Sequence, residues 1–147
     1  MSECINEMTF ESGTLPTMVP EGFVPIAAPI PGFVHQCGNF HFCAERSVVA
    51  TRIAAHHTNS LAIAHGGMLA TLADTAFGVV LPYRLGLRVA PVTVSLNVDY
   101  VSAARPGDWV EAHVDLHKAG RRISNASCLL RVGERLVLRA SGTFMME

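Results

Sequence analysis

The chain has 147 residues, half of them hydrophobic, 16% charged, with a formal net charge of −1. That length supports one compact domain with a real core and is short for two. The charge balance argues against nucleic acid as a partner, and no apolar run approaches the ~20 residues that span a bilayer, so no membrane partner is expected.

Such apolar richness in a small chain predicts that some apolar surface is buried between subunits. Cys4, Cys37, Cys43 and Cys128 form no CxxC pair, so neither a zinc site nor a disulfide framework is expected. The start, MSECINEMTFESG, is acidic and lacks a signal pattern. A reduced, cytoplasmic, soluble protein is the expectation.

Residues 1 to about 32 differ from the rest. Pro16, Pro20, Pro25, Pro29 and Pro31 punctuate them, and proline propagates neither helix nor strand. Phe23, Val24, Ile26 and Ile30 predict a strap lying on the domain, and the pattern is compatible with a short helix near the start. Residues 39–43 and 47–55 are candidate strands, the second β-branched early and apolar throughout. HHTNSLAI reads as a loop.

From His65 the period becomes helical. Leu69, Leu72, Ala73, Ala76 and Val80 form one apolar stripe, and Pro82 marks the expected end. Ala70, Thr71, Asp74 and Gly78 share a second face that is small except for its acid, leaving room for another backbone or a ligand.

Beyond the helix the chain is strongly β. Val92, Val94, Leu96, Val98 and Tyr100 alternate with Thr93, Ser95, Asn97 and Asp99, the pattern of a half-buried strand. After a turn at Pro106-Gly107-Asp108, Val110, Ala112, Val114 and Leu116 share a face. A turn near Ala119-Gly120 leads to Ala126, Cys128, Leu130 and Val132. Gly133-Glu134 suits a two-residue hairpin, and Leu136, Leu138, Ala140, Gly142 and Phe144 line the last strand. Two strands, one long helix and a four-strand meander follow: an α+β domain with the helix laid against an antiparallel sheet.

The chemistry centres on the helix start. First-turn N–H groups have no intrahelical partner, and the dipole adds positive character there. Gly66 and Gly67 leave access open, which suits an anion or a developing oxyanion; a glycine turn needed only for packing is the plainer alternative. Asp74 is either a solvated helix acid or a carboxylate kept on a buried face for a reason. Asn59 is a turn residue, or an amide that orients water or a substrate carbonyl. His65 could act as base, ligand or cap; capping or positioning is preferred, because the dipole disfavours an imidazolium. His113 and His117 read as surface residues, and no metal site is implied. Arg121 and Arg122 follow a turn glycine; such arginines often do nothing specific, yet they suit phosphate.

Together, Asn59, His65-Gly66-Gly67, Leu72 and Asp74 match NxxxxxHGGxxxxLxD, and the chain resembles the hotdog-fold acyl-CoA thioesterases, most closely the PaaI-like branch of the 4-hydroxybenzoyl-CoA thioesterase superfamily. ATLADTAFG, VTVSLNVDYVSAARPGD, GRR and ASGTF add to the resemblance, which covers roughly residues 35 to 147. The domain is accordingly placed at 33–147, after an extension at 1–32. The resemblance implies a long helix wrapped by an antiparallel sheet, a homodimer as minimum unit and a homotetramer as a pair of dimers, with active sites between subunits. It implies no cofactor and an acyl-CoA as substrate, with aromatic, medium-chain and carrier-protein-bound acyl groups all left open.

By the same resemblance Asp74 is the catalytic carboxylate, Gly66 the backbone donor to the thioester carbonyl, Asn59 the residue that places the carbonyl or water, and Thr93 an aid to water positioning. Gly67, Arg121 and Arg122 would contact substrate. Relatives commonly carry glycine three residues after the Asn, where this chain has Ala62, which predicts a slightly altered loop. Hydrolysis needs little acid help, since a thiol has a pKa near ~8.5. A non-catalytic acyl-CoA-binding domain and a dehydratase or hydratase on acyl thioesters are the rival readings; the latter wants a histidine base.

Overall fold

The computed structural model describes residues 18–27 and 32–146. Ile30 of the expected strap and the short helix near the start lie outside the described residues. In chain order come β1 (Val24–Pro25), α1 (Phe33–Cys37), β2 (Phe40–Cys43), β3 (Val48–Arg52), a 3₁₀ turn (Ala55–His57), α2 (Gly66–Leu85), β4 (Val92–Tyr100), β5 (Trp109–Ala119), β6 (Ile123–Val132) and β7 (Arg135–Met145). The strands form one antiparallel sheet in the order β1-β2-β3-β5-β6-β7-β4, against which α2 packs. This is the expected α+β arrangement. The strap expectation holds for Phe23, which is buried against Trp109 on the other side of the sheet, and for Ile26, which packs on the core, whereas Val24 is exposed.

The helical stripe is the heart of the core. Leu72, Ala73, Ala76, Phe77, Val80 and Leu81 have no exposed surface. They meet the inward residues of the sheet, among them Val110, Ala112, Cys128, Leu130 and Leu138. Each buried Leu, Val or Phe contributes roughly 1.5–3 kcal/mol. Burial also pushes the Cys128 thiol up to about 12, so it stays neutral.

Three expectations need correction. The helix does not end at Pro82 but runs one turn further, to Leu85. A proline removes one N–H and need not stop the chain; termination waits for Gly86, whose φ of 64° supplies the left-handed cap, with its N–H on the Pro82 carbonyl. The late strands are not a simple meander. β5, β6 and β7 run consecutively, but β4 lies beyond β7, and β5 pairs with β3. Alternation reveals which face a residue takes and says nothing of neighbours.

The third correction concerns β4. Thr93 pairs with Phe144 and Ser95 with Thr143, so Val94 is an extra, unpaired residue. The bulge reverses the alternation around it. Thr93 therefore shares the inner face with Leu96, Val98 and Tyr100, while Val92, opposite Met145, lies on the outer face. β4 also sits at the sheet edge, so its apolar side chains remain largely open: Val94 is 60% and Tyr100 55% exposed.

His57 knits the short elements together. It is 4% exposed. Its Nδ1 accepts from Ala54 N–H at 2.9 Å, which leaves Nε2–H to donate to the Cys37 carbonyl at the end of α1. Its carbonyl accepts from His65 N–H at 2.8 Å, at the threshold of α2. Burial lowers its pKa, against the raising effect of the Cys37 carbonyl. A histidine depressed in the fold stabilises above its unfolded value near ~6.5 and loses that contribution as pH falls through the folded value. The urea midpoint should thus fall on acidification from neutrality below that point, and His57→Gln should flatten part of the slope; an unchanged slope would contradict the assignment. A second test concerns Gly142, where a Cβ would lie 2.4 Å from Phe144 Cζ. That ring is held by Phe77, centroid to centroid 4.8 Å. Gly142→Ala should cost about 1–3 kcal/mol in chemical denaturation.

Candidate active site

The first turn of α2 has few donors to spare. His65 is the N-cap, as preferred from the sequence: its Nδ1 accepts from Gly67 N–H at 2.9 Å. Met68 and Leu69 both donate to the His65 carbonyl, at 3.0 and 3.1 Å. The Gly66 N–H alone of this turn has no partner among the described residues. The Gly67 N–H, unlike that of Gly66, is consumed by the cap.

Gly66 is glycine for a steric reason. A Cβ there would lie 3.0 Å from Tyr100 Cζ and Oη. The Tyr100 hydroxyl donates to the Gly66 carbonyl at 2.8 Å, so β4 clamps the start of α2. Sequence reasoning placed Tyr100 only in an apolar strand face; a phenol at the end of that face, where a hydroxyl can reach a backbone, was the available signal.

Asn59 stands in the loop before the helix. Its Oδ1 accepts from Leu61 N–H at 2.9 Å, and its main-chain N–H donates to Ile63 at 2.9 Å. Its amide Nδ2 has no partner among the described residues. Ala62 takes φ 55°, the left-handed conformation that glycine adopts freely and other residues adopt at a cost of about 1–2 kcal/mol. The alanine therefore keeps a glycine-type turn under strain. Asn59 and Gly66 line one groove of 310 Å³, with Leu69, Tyr100 and Ser102 among its other walls.

Asp74 is exposed on the open face of α2. The Thr93 hydroxyl donates to its Oδ1 at 2.9 Å. This contact exists because the β4 bulge turns Thr93 inward. Leaving Oδ2 free, it presents one carboxylate oxygen to a second groove, of 380 Å³, walled by Phe33, Val34, Ala70 and Leu96. Phe33 was not singled out from the sequence: five residues of α1 are too few to show a period.

The candidate residues do not converge within one chain. The Asn59–Gly66 groove and the Asp74–Thr93 groove have no lining residue in common. Eight helical residues separate Gly66 from Asp74, about 12 Å along the axis and about 80° around it. His65 and Gly67 line a third groove with His56, His57 and Phe33. Arg121 and Arg122 are exposed in the β5–β6 turn, where Gly120 N–H meets the Ile123 carbonyl. That turn is at the Thr93 end of the sheet, two strands over, roughly 10 Å away. Among the described residues no group of three or more His, Cys, Asp or Glu is placed to hold a metal, and no helix is long and apolar enough to cross a membrane.

Comparison with known proteins agrees with this architecture. The family model described as "Thioesterase superfamily" matches residues 61–140. The protein named "Putative esterase PA0474" of Pseudomonas aeruginosa is 44% identical over 130 residues, 86% of this chain and 96% of its own length. Among solved structures, a variant of the phenylacetic acid degradation protein PaaI from Thermus thermophilus matches with a TM-score of 0.62 at 30% identity, over 68% of this chain and 84% of that one. A hypothetical thioesterase protein from Streptococcus pneumoniae, solved with coenzyme A, matches with a TM-score of 0.61 at 27% identity, over 67% and 77%. The chain belongs to the thioesterase superfamily, in its PaaI-like hotdog branch, and is a thioester hydrolase.

Proposed function

We propose that the protein hydrolyses an acyl-CoA to the free acid and CoA in a site completed by two copies of the chain. The observation that carries this reading is the pair of unspent donors, Gly66 N–H and Asn59 Nδ2, lining one groove at the positive end of α2. Such a pair suits a carbonyl oxygen on which negative charge develops. The CoA-bound relative supports the choice of thiol.

The carboxylate supplies the other half. With Thr93 on Oδ1, Asp74 Oδ2 either takes a proton from the attacking water or attacks the carbonyl itself. Collapse of the tetrahedral adduct breaks the C–S bond and releases the thiolate, which needs little acid help; on the nucleophilic route water then cleaves the mixed anhydride on Asp74, freeing the acid and restoring the carboxylate. Since Gly66 and Asp74 of one chain are about 12 Å apart along the helix, both reach one thioester only if they come from different copies. β4 favours such pairing: it is a nine-residue edge strand with exposed Val92, Val94 and Tyr100, a surface that proteins cover. A homodimer is the minimum unit, and a homotetramer would join two. Arg121 and Arg122, two strands from Thr93, are left to meet the CoA phosphates. A reduced, cytoplasmic setting fits Cys37, Cys43 and Cys128, all free thiols. The hydratase alternative loses its base, since His65 Nδ1 is engaged in capping.

Asp74→Asn should lower thiol release ~100- to 10,000-fold while the oligomer survives. Gly66→Pro removes the N–H at a helix position that tolerates proline; it should lose ~100- to 1,000-fold relative to Gly66→Ala, which adds a similar steric burden but keeps the donor. Co-expressing the Asp74→Asn and Gly66→Pro chains should recover activity that neither has alone. Failure to recover would rule out the shared site.

A further inference from the structure

α1 contributes a side chain whose position has no structural return for the domain. Phe33 is 70% exposed, and none of the five residues of α1 is fully buried. The helix is nevertheless anchored: Val34 and Cys37 pack on the core, and the Cys37 carbonyl accepts from His57, with His56 Nε2 at 3.3 Å. The Phe33 ring is therefore held out on a fixed base.

What it overlooks is the open face of α2. Phe33 and Thr71 line both the groove of Asp74 and Thr93 and the 460 Å³ groove of Gly67, Met68 and His65. The two grooves are thus one trough between α1 and α2. Gly67, Thr71, Asp74 and Thr75 share its helical wall, Thr71 standing four residues after Gly67 and three and four before Asp74 and Thr75. Beside Asp74 the walls are apolar at Phe33, Val34, Ala70 and Leu96 and otherwise carry only the uncharged hydroxyls of Thr71, Thr75 and Thr93, and Asp74 is the one charged residue lining either groove apart from the histidines.

We propose that Phe33 is a specificity-determining residue: it walls this trough so that the body of an uncharged apolar or aromatic acyl group lies between α1 and α2 with its carbonyl at Asp74. The inference rests on Asp74 being the reacting carboxylate. An acetyl group is too short to reach the ring and gains nothing from it. An acyl group with its own carboxylate, such as succinyl, would be repelled by Asp74 in the same trough.

The test is thiol release from acetyl-, hexanoyl-, phenylacetyl- and succinyl-CoA by the wild-type protein, Phe33→Ala and Phe33→Leu. Wild type should favour hexanoyl or phenylacetyl over acetyl and succinyl by at least about tenfold in kcat/KM, the scale of a well-filled apolar pocket. Phe33→Ala should erase about tenfold of that preference, mainly through KM, and Phe33→Leu should restore part of it for hexanoyl. Equal losses on every substrate would make Phe33 merely structural and overturn the proposal, as would an unchanged preference. A wild-type protein inactive on all four would instead sink the acyl-CoA reading and this inference with it.

Discussion

One backbone N–H organises the candidate site. In the first turn of α2 the His65 side chain and carbonyl absorb the donors of Gly67, Met68 and Leu69, and Gly66 keeps its own. Much of the surrounding structure serves that outcome. His57 holds the main chain of His65, the Tyr100 hydroxyl holds the Gly66 carbonyl, and the missing Cβ admits the Tyr100 ring. An unpaired donor in water is cheap, but at a partly enclosed helix start it is a preorganised positive site. Asn59, fixed through Oδ1, adds a second donor to the same groove.

The carboxylate depends on a different irregularity. Without the extra residue at Val94, strict alternation would send Thr93 to the outer face. The bulge costs one ladder pair and brings a hydroxyl to Asp74 at 2.9 Å. β4 thereby serves both halves of the site: Tyr100 at one end steadies the donors, and Thr93 at the other steadies the acid. Its free edge and exposed valines are the surface on which the proposed pairing of two copies rests.

Ala62 shows that alanine can be held in the left-handed conformation that glycine adopts freely. The chain holds this residue at φ 55°. The hydrogen bonds of Asn59 to Leu61, Ala62 and Ile63 over-determine the loop, so the strain is tolerated instead of being relaxed by a different path.

While the family resemblance singled out Asn59, His65, Gly66 and Asp74 as candidates, the sequence by itself determined the class of fold, the apolar stripe of α2, the inward faces of β5 and β6, and that of β7 from Leu138 onward; at Leu136 a bulge turns Val137 inward instead. These are matters of period and local chemistry: Leu72, Ala76 and Val80 recur every turn or so, and a glycine pair at a helix start shows whatever the chain does elsewhere. Tertiary structure decided the rest. The place of β4 beyond β7, the inward turn of Thr93 and the division of the candidate residues between two grooves all rest on pairings between residues far apart in the chain. α1 and its exposed Phe33 belong with them, because five residues carry no readable period and only the anchors at Val34 and Cys37 fix where that ring stands.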